Sequence, residues 1–207
     1  MIYFIVTTCL TKTDFLIRKN QYISSINKLI NITSHLNKKI ILVENNGSRN
    51  TFLNTLGPPV LYTLNNLIQT KNKGIKEMKD VLDCIDILKI KDDDFIVKIT
   101  GRYLLRDDSH FIKKLNDLDS ESIDCIIKYG SYMKPLNYKV EDCITGLIGM
   151  RCKYVKNVEI PCGEEHCIEW NWGKTAMSIP EENVYIIKDP DILGINICPA
   201  GNNYSLL

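Results

Sequence analysis

The densest mix of titratable and aromatic groups in the chain is Glu164-Glu165-His166, followed by Glu169-Trp170-Asn171-Trp172. Adjacent carboxylates raise one another's pKa, which suits a general base, and an indole face stacks on the apolar side of a sugar ring. Helical spacing would put Glu165 and Glu169 on one face. The same residues would equally make an acidic helix start, with both tryptophans packed in the core.

A second group is Lys98-Ile99-Thr100-Gly101-Arg102-Tyr103. Strand alternation places Lys98 and Thr100 on one face, Gly101 allows a ligand near the backbone, and Arg102 offers a planar fork of donors suited to phosphate. Such an arginine can neutralise a leaving diphosphate in place of a metal. The alternative makes Arg102 a surface ion-pair partner and turns Lys98 toward a helix with its stem on apolar surface. Asp92-Asp93-Asp94 invites comparison with a metal-binding Asp-x-Asp. It precedes the strand, however, and six residues at about 3.3 Å each put it about 20 Å from the carboxyl end, where ligands bind in such sheets. A solvated turn is the expected role. Beyond Arg102, Asp108 is expected to cap the next helix.

Three further signals are weaker. Lys71-Asn72-Lys73-Gly74 precedes a helix, whose first N–H groups with lysines nearby make an anion site. Glu44 ends a strand and can accept from a ribose or base donor, and Thr8 can line a base pocket. Either is equally at home as a turn or capping residue.

These groups need elements to position them. Ile2–Thr8 is a β-branched and aromatic run expected as a strand buried on both faces. Thr13 or Asp14 can cap a helix reaching about Ile32. A second strand over Lys39–Glu44 ends in the turn signature Glu44-Asn45-Asn46-Gly47-Ser48, followed by a short helix near Arg49–Leu56 and a third strand at Val60–Leu64. This alternation predicts a parallel sheet with a ligand crevice at the strands' carboxyl ends. Further on, helices are expected at Gly74–Leu88, Ser109–Leu118 and Glu164–Met177. Strands are expected at Phe95–Thr100, Ile123–Tyr129, Cys143–Met150 and Asn183–Ile187, with an irregular tail.

At 207 residues, 44% hydrophobic and 25% charged, the chain can bury roughly 70% of its unfolded surface and needs no staple. A net charge of +1 argues against a nucleic-acid binder. Residues 1–80 nevertheless hold 11 Lys/Arg against 4 Asp/Glu, so an anion would prefer that half. The eight cysteines form no CxxC pair and read as buried reduced thiols; Cys162, His166 and Cys167 lack a second ligand pair for zinc. No segment reaches the ~20 apolar residues of a membrane span, and the expected setting is cytoplasmic.

Taken together, the motifs resemble GT-A glycosyltransferases, and especially the small glycosyltransferase domains of large DNA viruses that build capsid glycans. The resemblance is carried by Val43-Glu44-Asn45-Asn46-Gly47, by Thr70-Lys71-Asn72-Lys73-Gly74 with Glu77, and by Asp92-Asp93-Asp94-Phe95-Ile96-Val97-Lys98-Ile99-Thr100-Gly101-Arg102-Tyr103. Glu141-Asp142-Cys143-Ile144-Thr145-Gly146 and Arg151-Cys152-Lys153-Tyr154 complete it. It implies a Rossmann-like α/β/α sandwich with a mostly parallel sheet, forming one GT-A domain over residues 1–207. It implies a UDP-linked nucleotide sugar as donor and a glycan or glycoprotein as acceptor, with capsid or fibril glycosylation as the setting.

By the same resemblance Thr8, Glu44, Lys71, Asn72, Gly74, Lys98, Thr100, Gly101 and Arg102 would face the nucleotide sugar. Glu164, Glu169 and Trp170 would meet the acceptor, and Glu165 would be the base of an inverting attack, with Arg102 assisting departure of the diphosphate. A divalent cation, Mn2+ or Mg2+, is the usual companion in such enzymes. Thr100-Gly101-Arg102 stands where most of them carry Asp-x-Asp, which leaves metal dependence open. Two alternatives stand beside this reading: a non-catalytic binding protein on the same fold, and a nucleotidyltransferase. The second is disfavoured because Thr7-Thr8-Cys9-Leu10-Thr11-Lys12 is not the Gly-rich loop it would need.

Overall fold

The computed structural model describes residues 1–10, 15–130, 139–161, 167–188, 193–197 and 205–206. The first half follows the expected alternation: β1 (Ile2–Thr8), α1 (Phe15–Ile32), β2 (Lys38–Glu44), β3 (Val60–Tyr62), α2 (Lys73–Leu88) and β4 (Phe95–Thr100). A 3-10 turn at Phe52–Thr55 replaces the short helix expected before β3. After β4 come β5 (Leu104–Leu105), α3 (His110–Lys114), β6 (Cys125–Ile127), β7 (Leu147–Arg151), α4 (Cys152–Val155), α5 (Ile168–Met177) and β8 (Val184–Ile186). Two short strands, β9 (Ile195–Ile197) and β10 (Ser205–Leu206), close the order.

The main sheet runs β3-β2-β1-β4-β7-β6-β8. Strands β1 to β4 are mutually parallel, whereas β7 lies antiparallel to both β4 and β6. The chain steps outward from β1 to β2 and β3, then returns to place β4 on the other side of β1. This reversal opens a crevice at the carboxyl ends of β1 and β4, where open α/β sheets bind ligands.

Period-two alternation sorts β1 between two cores. Phe4 and Val6 pack with Tyr22, Ile26 and Leu29 of α1, while Tyr3 and Ile5 pack with Met78, Val81 and Ile85 of α2. Helix layers therefore cover both faces, as an α/β/α sandwich requires. Each fully buried Ile, Leu or Phe contributes about 1.5–3 kcal/mol. The second core continues through Ile96, Ile148 and Met150 to Ile168, Trp172 and Ala176 of α5, so α5 is clamped on the face that carries α2.

Three further expectations differ from the structure. Asp108 does not cap α3: the cap is Ser109, whose Oγ accepts from the Ile112 N–H at 3.4 Å, while Asp108 pairs with Arg106. The tail is not wholly irregular, because β9 pairs with β5 and β10 in a small second sheet. The described α5 starts at Ile168, later than expected. Among the described residues, no helix is long and apolar enough to cross a membrane.

Candidate functional site

A solvent-open cleft of about 750 Å³ lies at the β1/β4 reversal. Thr7, Thr8 and Cys9 line it from the end of β1, Thr100 and Arg102 from the end of β4, and Asn45 from the turn after β2. Helix α1 adds Arg18 and Tyr22, the segment before α2 adds Asn66, and α2 adds Lys73, Lys76 and Glu77.

Strand register sets the polar floor. Thr7 stands opposite Thr100 across the β1/β4 pair, and Thr8 opposite Glu44 across β1/β2. Lys98 lies two residues before Thr100 and therefore faces α2, away from the face occupied by Val97 and Ile99. Its ammonium, buried to 3% exposure, donates to Glu77 Oε2 at 2.8 Å, the Thr145 carbonyl at 2.8 Å and Thr100 Oγ1 at 3.1 Å. Glu77 Oε1 accepts from Thr7 Oγ1 at 3.1 Å. This ion pair, buried at its lysine end, thus ties α2 to both strands of the crevice, and the three protons of the ammonium each have an acceptor as a buried charge requires.

Glu44 has a different place from the one its position at the strand end suggests. It is fully buried, and its carboxylate accepts from Thr8 Oγ1, the Leu10 N–H, Asn46 Nδ2 and Arg49 Nη2 at 2.7–3.1 Å. It knits the β1 and β2 turns together behind the cleft wall. Gly47 completes the second turn with φ +85° and donates its N–H to the Thr63 carbonyl at 2.7 Å, a conformation that favours glycine.

Gly101 also works through the protein. A Cβ there would stand 2.9 Å from the Thr7 carbonyl oxygen and 2.9 Å from the Tyr22 ring. The space is filled by β1 and α1, and the Gly101 carbonyl accepts from Ser25 Oγ. Tyr22 hydroxyl accepts from the Cys9 N–H at 3.0 Å, and burial pushes its pKa up to about 12. Burial likewise pushes the Cys9 thiol up.

At the start of α2, Asn72 Oδ1 caps the helix by accepting from the Gly74 N–H at 3.0 Å. Gly74 permits contact with α5, since a Cβ there would overlap Ile168. Lys71 is exposed, while Lys73 and Lys76 reach the cleft. On α5, Glu169 Oε1 accepts from Thr145 Oγ1 at 3.2 Å. Trp170 is 42% exposed and Trp172 buried. Glu164, Glu165, His166 and Cys162 lie outside the described residues.

The cleft thus gathers Thr8, Thr100 and Arg102 from the sequence-derived set, with Lys98 behind its floor. Lys71, Glu169 and Trp170 do not line it. Sequence reading missed Arg18, Tyr22, Asn66 and Lys76. A local signal existed: Arg18 with Tyr22 at i,i+4, and Lys73 with Lys76 and Glu77 at i,i+3 and i,i+4, each place polar groups on one helix face. Asp92 lies at the opposite end of β4, in an exposed ion pair with Lys156 at 2.6 Å.

No protein-family model and no curated protein matches the chain in sequence. Solved structures match it in fold. A mannosyltransferase of Pyrobaculum calidifontis, solved with GDP-Man and Mn2+, superposes with a TM-score of 0.56 at 10% identity over 92% of this chain and 55% of that chain. The present chain therefore spans about half the length of that enzyme. A Bacillus anthracis protein assigned as a glucose-1-phosphate thymidylyltransferase, solved with sucrose, also gives 0.56, at 12% identity over 90% of this chain and 86% of that chain. A glycosyltransferase involved in glycosylation of the major capsid of PBCV-1 gives 0.49 at 9% identity over 90% of this chain and 81% of that chain. The fold is α/β and GT-A-like, of the Rossmann-like type found among nucleotide-diphospho-sugar transferases.

Because a neighbour holds Mn2+, the donor set needs a test against a divalent cation, which takes carboxylate and other oxygen ligands. Among the described residues, no group of three or more His, Cys, Asp or Glu side chains is arranged to hold a metal ion. Glu77 is the carboxylate in the cleft lining, and it is engaged by Lys98 and Thr7. The described residues do not fit such an ion.

Proposed function

We propose that the protein is a glycosyltransferase that moves a sugar from a UDP-linked nucleotide donor to a glycan or glycoprotein acceptor. The observation that carries this reading is the cleft at the β1/β4 reversal, where Arg18, Lys73, Lys76 and Arg102 surround the threonine-lined floor. Cations in a partly enclosed crevice suit a diphosphate, and arginine forks match its oxygens.

In this reading the nucleoside lies toward Thr8 and the β2 turn, which Glu44 holds in shape from behind. The N-terminal turn of α2 and Arg102 face the diphosphate. As the acceptor hydroxyl attacks the anomeric carbon and the bond to the diphosphate oxygen breaks, negative charge grows on the leaving group. Preorganised donors aimed at that charge lower the barrier. Glu165, in the acidic pair ahead of α5, would take the acceptor's proton, and exposed Trp170 with Glu169 would border the acceptor. The setting is taken as cytoplasmic, supported by free, buried Cys84, Cys125, Cys143 and Cys152. Capsid or fibril glycosylation is part of the same proposal.

The test is release of free UDP from UDP-glucose or UDP-rhamnose in the presence of an acceptor extract. Release coupled to labelled glycan is expected. Donor binding without any turnover across a panel of nucleotide sugars would instead make the chain a binding protein on this fold.

A further inference from the structure

We infer that the diphosphate in this cleft is gripped by side-chain cations and the first turn of α2, with no divalent cation bridging it to the protein. The inference rests on the reading of the cleft as a nucleotide-sugar site.

The four cations come from three separate elements: Arg18 from α1, Lys73 and Lys76 from α2, and Arg102 from the turn after β4. A nucleotide-sugar diphosphate carries two negative charges, and four cationic side chains line the cleft it would enter, Arg18 and Lys76 held in place by the Cys9 and Asn66 carbonyls. Among the described residues, the carboxylates nearest the cleft are committed elsewhere. Glu77 is paired with Lys98 at 2.8 Å. Glu44 is buried and paired with Arg49 at 3.0 Å. Asp80 is fully buried and accepts from Thr63, Asn65 and Asn45. Beyond Arg102, Asp107 pairs with Lys28 at 2.6 Å and Asp108 with Arg106.

A dication entering the cleft would meet this positive field and find the described carboxylates already taken. An anion meets the reverse. Lys73 and Lys76 also lie on the first turn of a 16-residue helix capped by Asn72, so the helix dipole adds to the attraction.

The test is isothermal titration of the full chain with UDP, UDP-glucose and GDP-mannose, in excess EDTA and again in excess manganese chloride. At least one of them is expected to bind with a dissociation constant that agrees within about threefold between the two conditions. Arg18→Ala and Arg102→Ala are each expected to weaken it about tenfold or more in both. Arg102→Lys, which keeps the charge but loses the fork, should fall between parent and Arg102→Ala in EDTA and controls for misfolding. Binding that appears only with manganese overturns the inference while leaving the nucleotide-sugar reading intact. No binding of any of the three in either condition overturns both.

Discussion

Lys98 and Glu77 form a 2.8 Å ion pair between β4 and α2, directly under the carboxyl ends of the strands that frame the cleft. The pair is asymmetric: the lysine is 3% exposed and the glutamate 32%. Removing either partner therefore has different consequences.

Glu77→Ala strands a buried ammonium, which keeps only Thr100 and the Thr145 carbonyl. It should cost about 3 kcal/mol, the lower part of the range for breaking a buried pair. Lys98→Met leaves a carboxylate that water can reach, and should cost about 1 kcal/mol or less. Urea denaturation of both variants measures the difference, and equal losses would contradict the assigned asymmetry.

Asp80 gives a pH signature. Burial raises its pKa from 3.8 to about 6, against the lowering effect of hydrogen bonds from Thr63, Asn65 and Asn45. With the folded value above the unfolded one, the native state holds the proton more tightly. The associated stability is complete below about pH 4 and lost as pH rises through about 6, to the extent of about 2–3 kcal/mol. Asp80→Asn should flatten the stability curve across that window. Its amide keeps one accepting oxygen for Thr63 and Asn65 but would turn an N–H against the Asn45 donor, lowering stability relative to ionised Asp80. Chemical denaturation from pH 4 to pH 7 is the measurement, and a variant whose slope matches the parent would exclude Asp80 as the source.

The two acidic motifs should separate by activity. Asp92→Asn with Asp93→Asn disturbs an exposed pair at the far end of β4 and should leave turnover within about twofold, since such pairs are worth about 1 kcal/mol or less to stability. Glu165→Gln keeps size and removes the base, and should slow turnover by about 10² or more. Steady-state UDP release on variants that melt near the parent would decide. An inactive Asp variant beside an active Glu165→Gln would reverse the assignment.

Gly173 tests the seat of α5. A Cβ at this position would overlap the backbone carbonyl of Glu141, and backbone cannot swing aside as a side chain can. Gly173→Ala should cost about 2–3 kcal/mol, as overpacking of a filled contact does. A melting temperature within a degree of the parent would mean the contact yields freely.

Much of the sandwich was legible from one dimension because its signals are local. The run Ile2–Thr8, the helical spacing of Ile75, Met78, Leu82 and Ile85, and the strand ending in Thr100-Gly101-Arg102 each announce an element, and parallel alternation places the crevice at the strand ends. Other features depended on which segments meet. The antiparallel entry of β7 and the pairing of β9 with β5 are long-range events without a local period, and although Arg18 and Tyr22 share a helix face by spacing, only packing brings that face beside Thr7. Tertiary contacts also decided between roles open to one residue. Glu44 sits at a strand end as expected, but Arg49, Asn46 and Leu10 close around its carboxylate. Gly101 is needed where foreseen, yet Tyr22 and the end of β1 occupy the space its missing side chain leaves. Residue type and spacing determined which groups stood at the carboxyl ends of the strands. Only packing determined whether each one faced the cleft or held its wall, because burial and partnership belong to the surroundings and not to the residue.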